Sequence, residues 1–111
     1  MALGSRQSRV RGRIRVRFGE AHPERMAFTM NVSCTGAFIS TNNVFAPGRT
    51  IKVEFNFKDE TATLIARVIW AKKVPQPLAH LLPCGMGVRF IDPGPEWDAL
   101  LEKWESSRHS G

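Results

Sequence analysis

In the stretch RIRVRF, residues 13–18, Ile14, Val16 and Phe18 alternate without a fault with Arg13, Arg15 and Arg17. Successive side chains on a strand point to opposite faces, so this run predicts a strand with one buried face and one strongly basic face. The same period returns in TIKVEFNF, residues 50–57, where Ile51, Val53, Phe55 and Phe57 oppose Lys52, Glu54 and Asn56. A third alternation, Met26, Phe28 and Met30, stops at Asn31 and forms a hairpin with the first. Further strands are expected over Ala37–Thr41, over TATLIARVIWAKK (residues 61–73) and over GMGVRFID (residues 85–92). The 61–73 run is apolar on both faces, which predicts central placement or strong curvature, and Gly85 and Gly87 mark a bend or a close backbone approach. Pro47-Gly48 is a turn pair, and VPQPLAHLLPCG, with its three prolines, reads as a long loop.

The period then changes. Trp97, Leu100, Leu101 and Trp104 fall at i, i+3, i+4 and i+7, the apolar stripe of a helix, and Pro95 suits its first turn. Six short antiparallel strands followed by one helix avoid exposed sheet edges most simply by curling into a barrel. The expected fold is therefore mainly all-β: a six-stranded antiparallel β-barrel with a C-terminal α-helix. With 111 residues there is material for one core. The division is a basic arm over residues 1–12, a barrel with its closing helix over 13–106, and a disordered tail over 107–111. Met26, Met30 and Met86 are expected as core fillers, and Trp70, Trp97 and Trp104 as core or helix-packing residues.

The formal charge of +6 is unevenly spread. Residues 1–17 hold Arg6, Arg9, Arg11, Arg13, Arg15 and Arg17 and no acid, which leaves ten basic side chains against ten acidic ones in the rest. Such a block is either a footprint for phosphate, from nucleic acid, nucleotide or lipid headgroup, or a solvated arm that keeps the protein soluble. No apolar run approaches the roughly 18 residues of a membrane span, and arginines stand where the apolar core of a signal peptide would be, so no membrane insertion and a cytoplasmic location are expected. Cys34 and Cys84 are then reduced thiols. His80 and Cys84 are spaced to share a metal, but a structural zinc needs four ligands, so no metal site is assigned. Paired carboxylates, a His beside a nucleophile and a phosphate loop are all missing from the sequence, and no enzyme or cofactor is expected.

The stretch NVSCTGAFIS, residues 31–40, can be read two ways. Asn31 and Ser33 are turn formers whose side chains bond nearby backbone, and Gly36 lets a strand restart. The same amide, hydroxyl and glycine-exposed backbone also make a donor surface for an anion or a nucleotide edge.

The pattern Asn31-x-Ser33-x-x-Gly36 resembles the [Asp/Asn]-x-Ser-x-x-Gly motif of PilZ domains, which bind the bacterial second messenger cyclic di-GMP. The likeness extends over most of the chain, through an arginine-rich lead, RIRVRF, a strand ending in VIW, GMGVRF and a closing helix. The family's fold is a six-stranded antiparallel barrel with a C-terminal helix. By resemblance, an Arg-x-x-x-Arg element ahead of the first strand wraps onto the ligand beside the turn, where guanidinium groups fork onto phosphate and the guanine edge and stack on purines. The family's separation of roughly twenty residues between element and turn sets Arg9 at the second arginine and Ser5 at the first, with Arg6 adjacent. Arg9/Arg13 and Arg13/Arg17 have the literal spacing. The implied ligand set is Arg6, Arg9, Arg13, Asn31, Ser33 and Gly36, and the implied function is a receptor or adaptor that signals as cyclic di-GMP orders the arm. A module that has lost the ligand and docks on protein partners, in motility or surface machinery, is the alternative that Ser5 raises. Nucleic acid ranks third, since no aromatic platform lies beside the arm in sequence.

Overall fold

A computed structural model of the chain describes residues 10–73 and 84–110. Seven strands and one helix follow in order: β1 (Val10–Arg11), β2 (Arg15–Gly19), β3 (Arg25–Val32), β4 (Gly36–Ser40), β5 (Thr50–Asn56), β6 (Thr61–Lys72), β7 (Gly85–Ile91) and α1 (Pro95–Ser110). All pairings are antiparallel. The order β3-β2-β5-β6-β7-β4 returns on itself because β4 also pairs with β3, so six strands form the closed barrel expected from the sequence. Closure removes both sheet edges. β1 is a two-residue extension laid along the end of β3.

The arginine-flanked alternation holds in β2, with Val16 and Phe18 buried and Arg15 and Arg17 exposed, and in β5, with Ile51, Val53 and Phe55 inside. Their facing pairs, Val16 with Phe55 and Phe18 with Val53, bring the two apolar rows together. In β3 the expected faces are reversed. Ala27 and Thr29 point inward, while Met26 and Met30 are 56% and 50% exposed, so these methionines are not core residues. The register explains the reversal: Arg15 of β2 lies opposite Phe28, which commits Phe28 and its alternation mates to the outer face. Met86 is fully buried, as expected.

Helix α1 closes one end of the barrel. Trp97 is buried among Phe55, Phe57 and Phe90, with ring centroids 4.7, 6.0 and 5.3 Å away. A side chain of this size stabilises by about 2–3 kcal/mol through burial alone. Leu101 is buried beside it and Leu100 and Trp104 pack at the margin, which realises the helical stripe. The helix continues to Ser110, through positions where the sequence predicts a tail. Trp70 departs from expectation: a register shift between Val68 and Trp70 turns it outward, 48% exposed and stacked on Phe38. Gly87 faces its indole and Gly85 faces the Ile39 carbonyl, the close approaches that the two glycines permit. The proline-rich loop expected over residues 74–83 lies outside the described residues.

Candidate functional site

β1 and β2 are one strand interrupted by a bulge. Arg11 pairs with Asn31 and Arg15 with Phe28, so four steps on one strand answer three on the other. Thr29 fills the gap. Its hydroxyl is buried, accepts the Ile14 N–H at 3.0 Å and donates to the Gly12 carbonyl at 2.7 Å. Gly12 N–H in turn donates to Met30 O at 3.2 Å. Gly12 also sits against the Trp104 indole so closely that a Cβ there would overlap the ring. The root of the arginine arm is thereby fixed between β3 and α1. Ser5, Arg6 and Arg9 lie outside the described residues; Arg9 is bonded to Val10, which pairs with Val32, the residue before Ser33.

The turn at residues 33–36 is built by Ser33. Its hydroxyl oxygen accepts from the N–H groups of Thr35 and Gly36, both at 3.2 Å, and stands 3.3 Å from the Gly36 carbonyl and the Thr35 hydroxyl. Ser33 N–H closes the turn onto Gly36 O at 2.8 Å. The side chain is buried and surrounded, an ST-type turn whose shape follows from one hydroxyl. Gly36 is required by approach, since a Cβ would collide with the Val88 carbonyl of β7. Beneath them the Trp97 indole N–H donates to Ser33 O at 3.2 Å, joining the turn to the helix plug.

On the outer surface Asn31 is half-buried, flanked by Arg11 on β1 and Phe38 on β4. A second register shift, between Thr29 and Asn31, leaves Met30 without a partner residue on β4 and projects it outward. Arg13 is exposed, and its guanidinium carbon lies 4.2 Å from the centroid of Phe28, a cation–π arrangement. These groups line a cleft of about 860 Å³ whose walls include Arg13, Phe28, Met30, Asn31 and Ser40. It offers a fixed cation, an aromatic ring and amide and hydroxyl groups, a set suited to a flat heterocycle carrying an anion.

Of the residues predicted for the site, Arg13 and Asn31 share this cleft, while Ser33 and Gly36 form the turn that ends β3 and begins β4. Met30, Phe28 and Ser40 were not anticipated. The signal that identifies the first two was present in RIRVRF: if Arg15 faces outward, the partner it meets on β3 faces outward as well. Among the described residues no three metal-ligating side chains come together. The buried Cys84 thiol faces Thr41 and Asn42, and His80 lies outside the described residues. Lys103 has its pKa raised from 10.5, first by its hydrogen bond to Glu60 and then by attraction to that carboxylate; it is exposed on α1 and does not line the cleft.

Comparison with known proteins agrees with this geometry. No curated protein sequence matches the chain. Among solved structures it resembles the Bacillus subtilis inhibitor of motility MotI/DgrA, with a TM-score of 0.69 at 15% identity, over 92% of this chain and 49% of that one. The chain thus spans about half the length of that protein, and the likeness is one of fold. The PilZ domain model matches residues 5–104, from the arm through Trp104. With its barrel, its turn motif and its closing helix inside that match, the chain belongs to the PilZ domain family.

Proposed function

We propose that this protein is a cytoplasmic cyclic di-GMP receptor and adaptor, and that the dinucleotide draws the arginine arm against the barrel and so changes the surface shown to a protein partner. The observation that carries the reading is the register of β1: Val10 opposite Val32 and Arg11 opposite Asn31 tie the root of the arm to the strand that ends in the motif turn. Arg9 and Arg6 then supply guanidinium groups to phosphate and guanine, and Arg13 and Asn31 contribute from the cleft. Ser33 and Gly36 act through the turn, which Ser33 holds and Gly36 keeps clear of β7. Binding of this kind asks for no catalytic group, cofactor or metal. The likeness to an inhibitor of motility supports a partner in motility or surface machinery.

A second reading has one observation in its favour. The Ser33 hydroxyl is already occupied by the turn, and Ser5 stands at the first arginine position, as in a module that docks on proteins without ligand. Calorimetric titration and thermal shift with cyclic di-GMP separate the two. At a dissociation constant of about 1 μM, ligand at about 100 μM adds about 2.7 kcal/mol. That raises Tm by about 10 °C in a domain of this size. Neither heat nor shift at that concentration would leave the ligand-free module as the function.

A further inference from the structure

β3 and β6 are three strands apart in either direction around the barrel, so the outer face of β6 lies opposite Met26 and Met30. It carries Ile65, Ile69 and Trp70, all more than one-third exposed. Strict alternation would send one of two consecutive residues inward; the register shift between Val68 and Trp70 turns both Ile69 and Trp70 out. Trp70 is supported there by Gly87 beneath it and by Phe38, stacked at 5.2 Å.

Five cations stand among the polar neighbours of these residues, beside Thr50 and Thr63. Lys52 lies opposite Ile65, Arg67 lies opposite Arg89, and Lys72 and Lys73 follow Trp70; all five are exposed. β6 and β7 contain no acid, and the nearest strand carboxylate, Glu54, pairs with Thr63 toward the helix-capped end. Like charges directly across a sheet destabilise it. Among the described residues neither Arg67 nor Arg89 meets a carboxylate at ion-pair distance.

We propose that this face binds peripherally to an anionic lipid bilayer, with Ile69 and Trp70 entering the headgroup boundary and the five cations meeting lipid phosphates. Two features favour a bilayer over an acidic protein. Lysine is depleted in protein interfaces, whereas three of these cations are lysines. Apolar residues interleaved with lysine and arginine are the composition of interfacial segments, and each cation near an anionic surface strengthens binding about fivefold. The inference is independent of the cyclic di-GMP reading.

The test is flotation of the full chain with vesicles of phosphatidylcholine alone and with one-third phosphatidylglycerol, with polyglutamate beads as the protein-like anion. The chain is expected to float with the anionic vesicles only. Arg67→Ser with Arg89→Ser should weaken that binding about 30-fold, and Ile69→Ser should weaken it several-fold, while melting curves verify that each variant is folded. Using two separate variants guards against one of them misfolding. The proposal is overturned by failure to float, by equal flotation with neutral vesicles, or by folded variants that float as the parent does, since the arm alone would then carry the charge. Retention on polyglutamate that depends on these residues, without flotation, would assign the face to an acidic protein and overturn it as well.

Discussion

Replacing Thr29 by Val keeps the shape of a buried side chain and removes one hydroxyl. That hydroxyl accepts from Ile14 N–H and donates to Gly12 O, and it is what allows the strand to break between β1 and β2. Ile14 is buried, so its N–H is left without a partner, at about 1–3 kcal/mol. Gly12 is half-buried and its carbonyl can turn to water, adding at most about 1 kcal/mol. The sum, about 1–4 kcal/mol, corresponds to a fall in Tm of about 4–16 °C for a chain of this length. The measurement is urea denaturation with thermal melting, and Thr29→Ser is the control. Serine restores both hydrogen bonds and loses one methyl group, so about 1 kcal/mol is expected. If Val and Ser destabilise equally, the hydroxyl does not hold the bulge. The same variant tests the arm: with its root loosened, Thr29→Val should weaken cyclic di-GMP binding more than Thr29→Ser does.

Arg9→Ala should lower affinity for cyclic di-GMP by about 1–3 kcal/mol and leave Tm of the free protein unchanged, measured by titration and melting on one preparation. Ser33→Ala removes the acceptor for two backbone N–H groups and should reduce stability by about 1–2 kcal/mol in urea, with weaker binding following from the altered turn. Met30→Ser should change stability by less than about 0.5 kcal/mol whereas Met86→Ser should lose at least about 3 kcal/mol, because the first residue is half exposed and the second has no exposure. The Lys103–Glu60 pair should be silent near neutral pH: a raised lysine pKa stabilises fully below 10.5 and is lost only as pH rises through the higher folded value, so Glu60→Gln should leave the pH profile of Tm between 6 and 8 flat.

The parts of the fold legible in the sequence are those where one face is charged and the other apolar. Arg15 and Arg17 cannot be buried, so Val16 and Phe18 are, and the same logic orders Ile51, Val53 and Phe55. β3 lacks that asymmetry. Its two faces are Met26, Phe28 and Met30 against Ala27 and Thr29, and hydrophobicity alone assigns the larger set to the core. What overrides it is long-range: pairing with β2 fixes the register, and the buried Thr29 hydroxyl is needed at the bulge. Trp70 escapes the sequence for a related reason, since the register shift turns both it and Ile69 outward where alternation would send one inward, and such a shift leaves no mark in local composition.

The turn shows why a binding motif can also be a folding motif. Ser33 and Gly36 have folding reasons of their own for their spacing: Ser33 satisfies two N–H groups, Gly36 admits the Val88 carbonyl, and Trp97 is anchored on Ser33 O. A serine buried in this way presents little of its own hydroxyl to a ligand, so under the proposed function recognition falls to other groups nearby. Those are the half-buried Asn31 amide, the Arg13 guanidinium over Phe28 and the arm joined at Val10. On this argument the variants divide cleanly. Changes inside the turn should move stability and binding together, and changes on the arm should move binding alone.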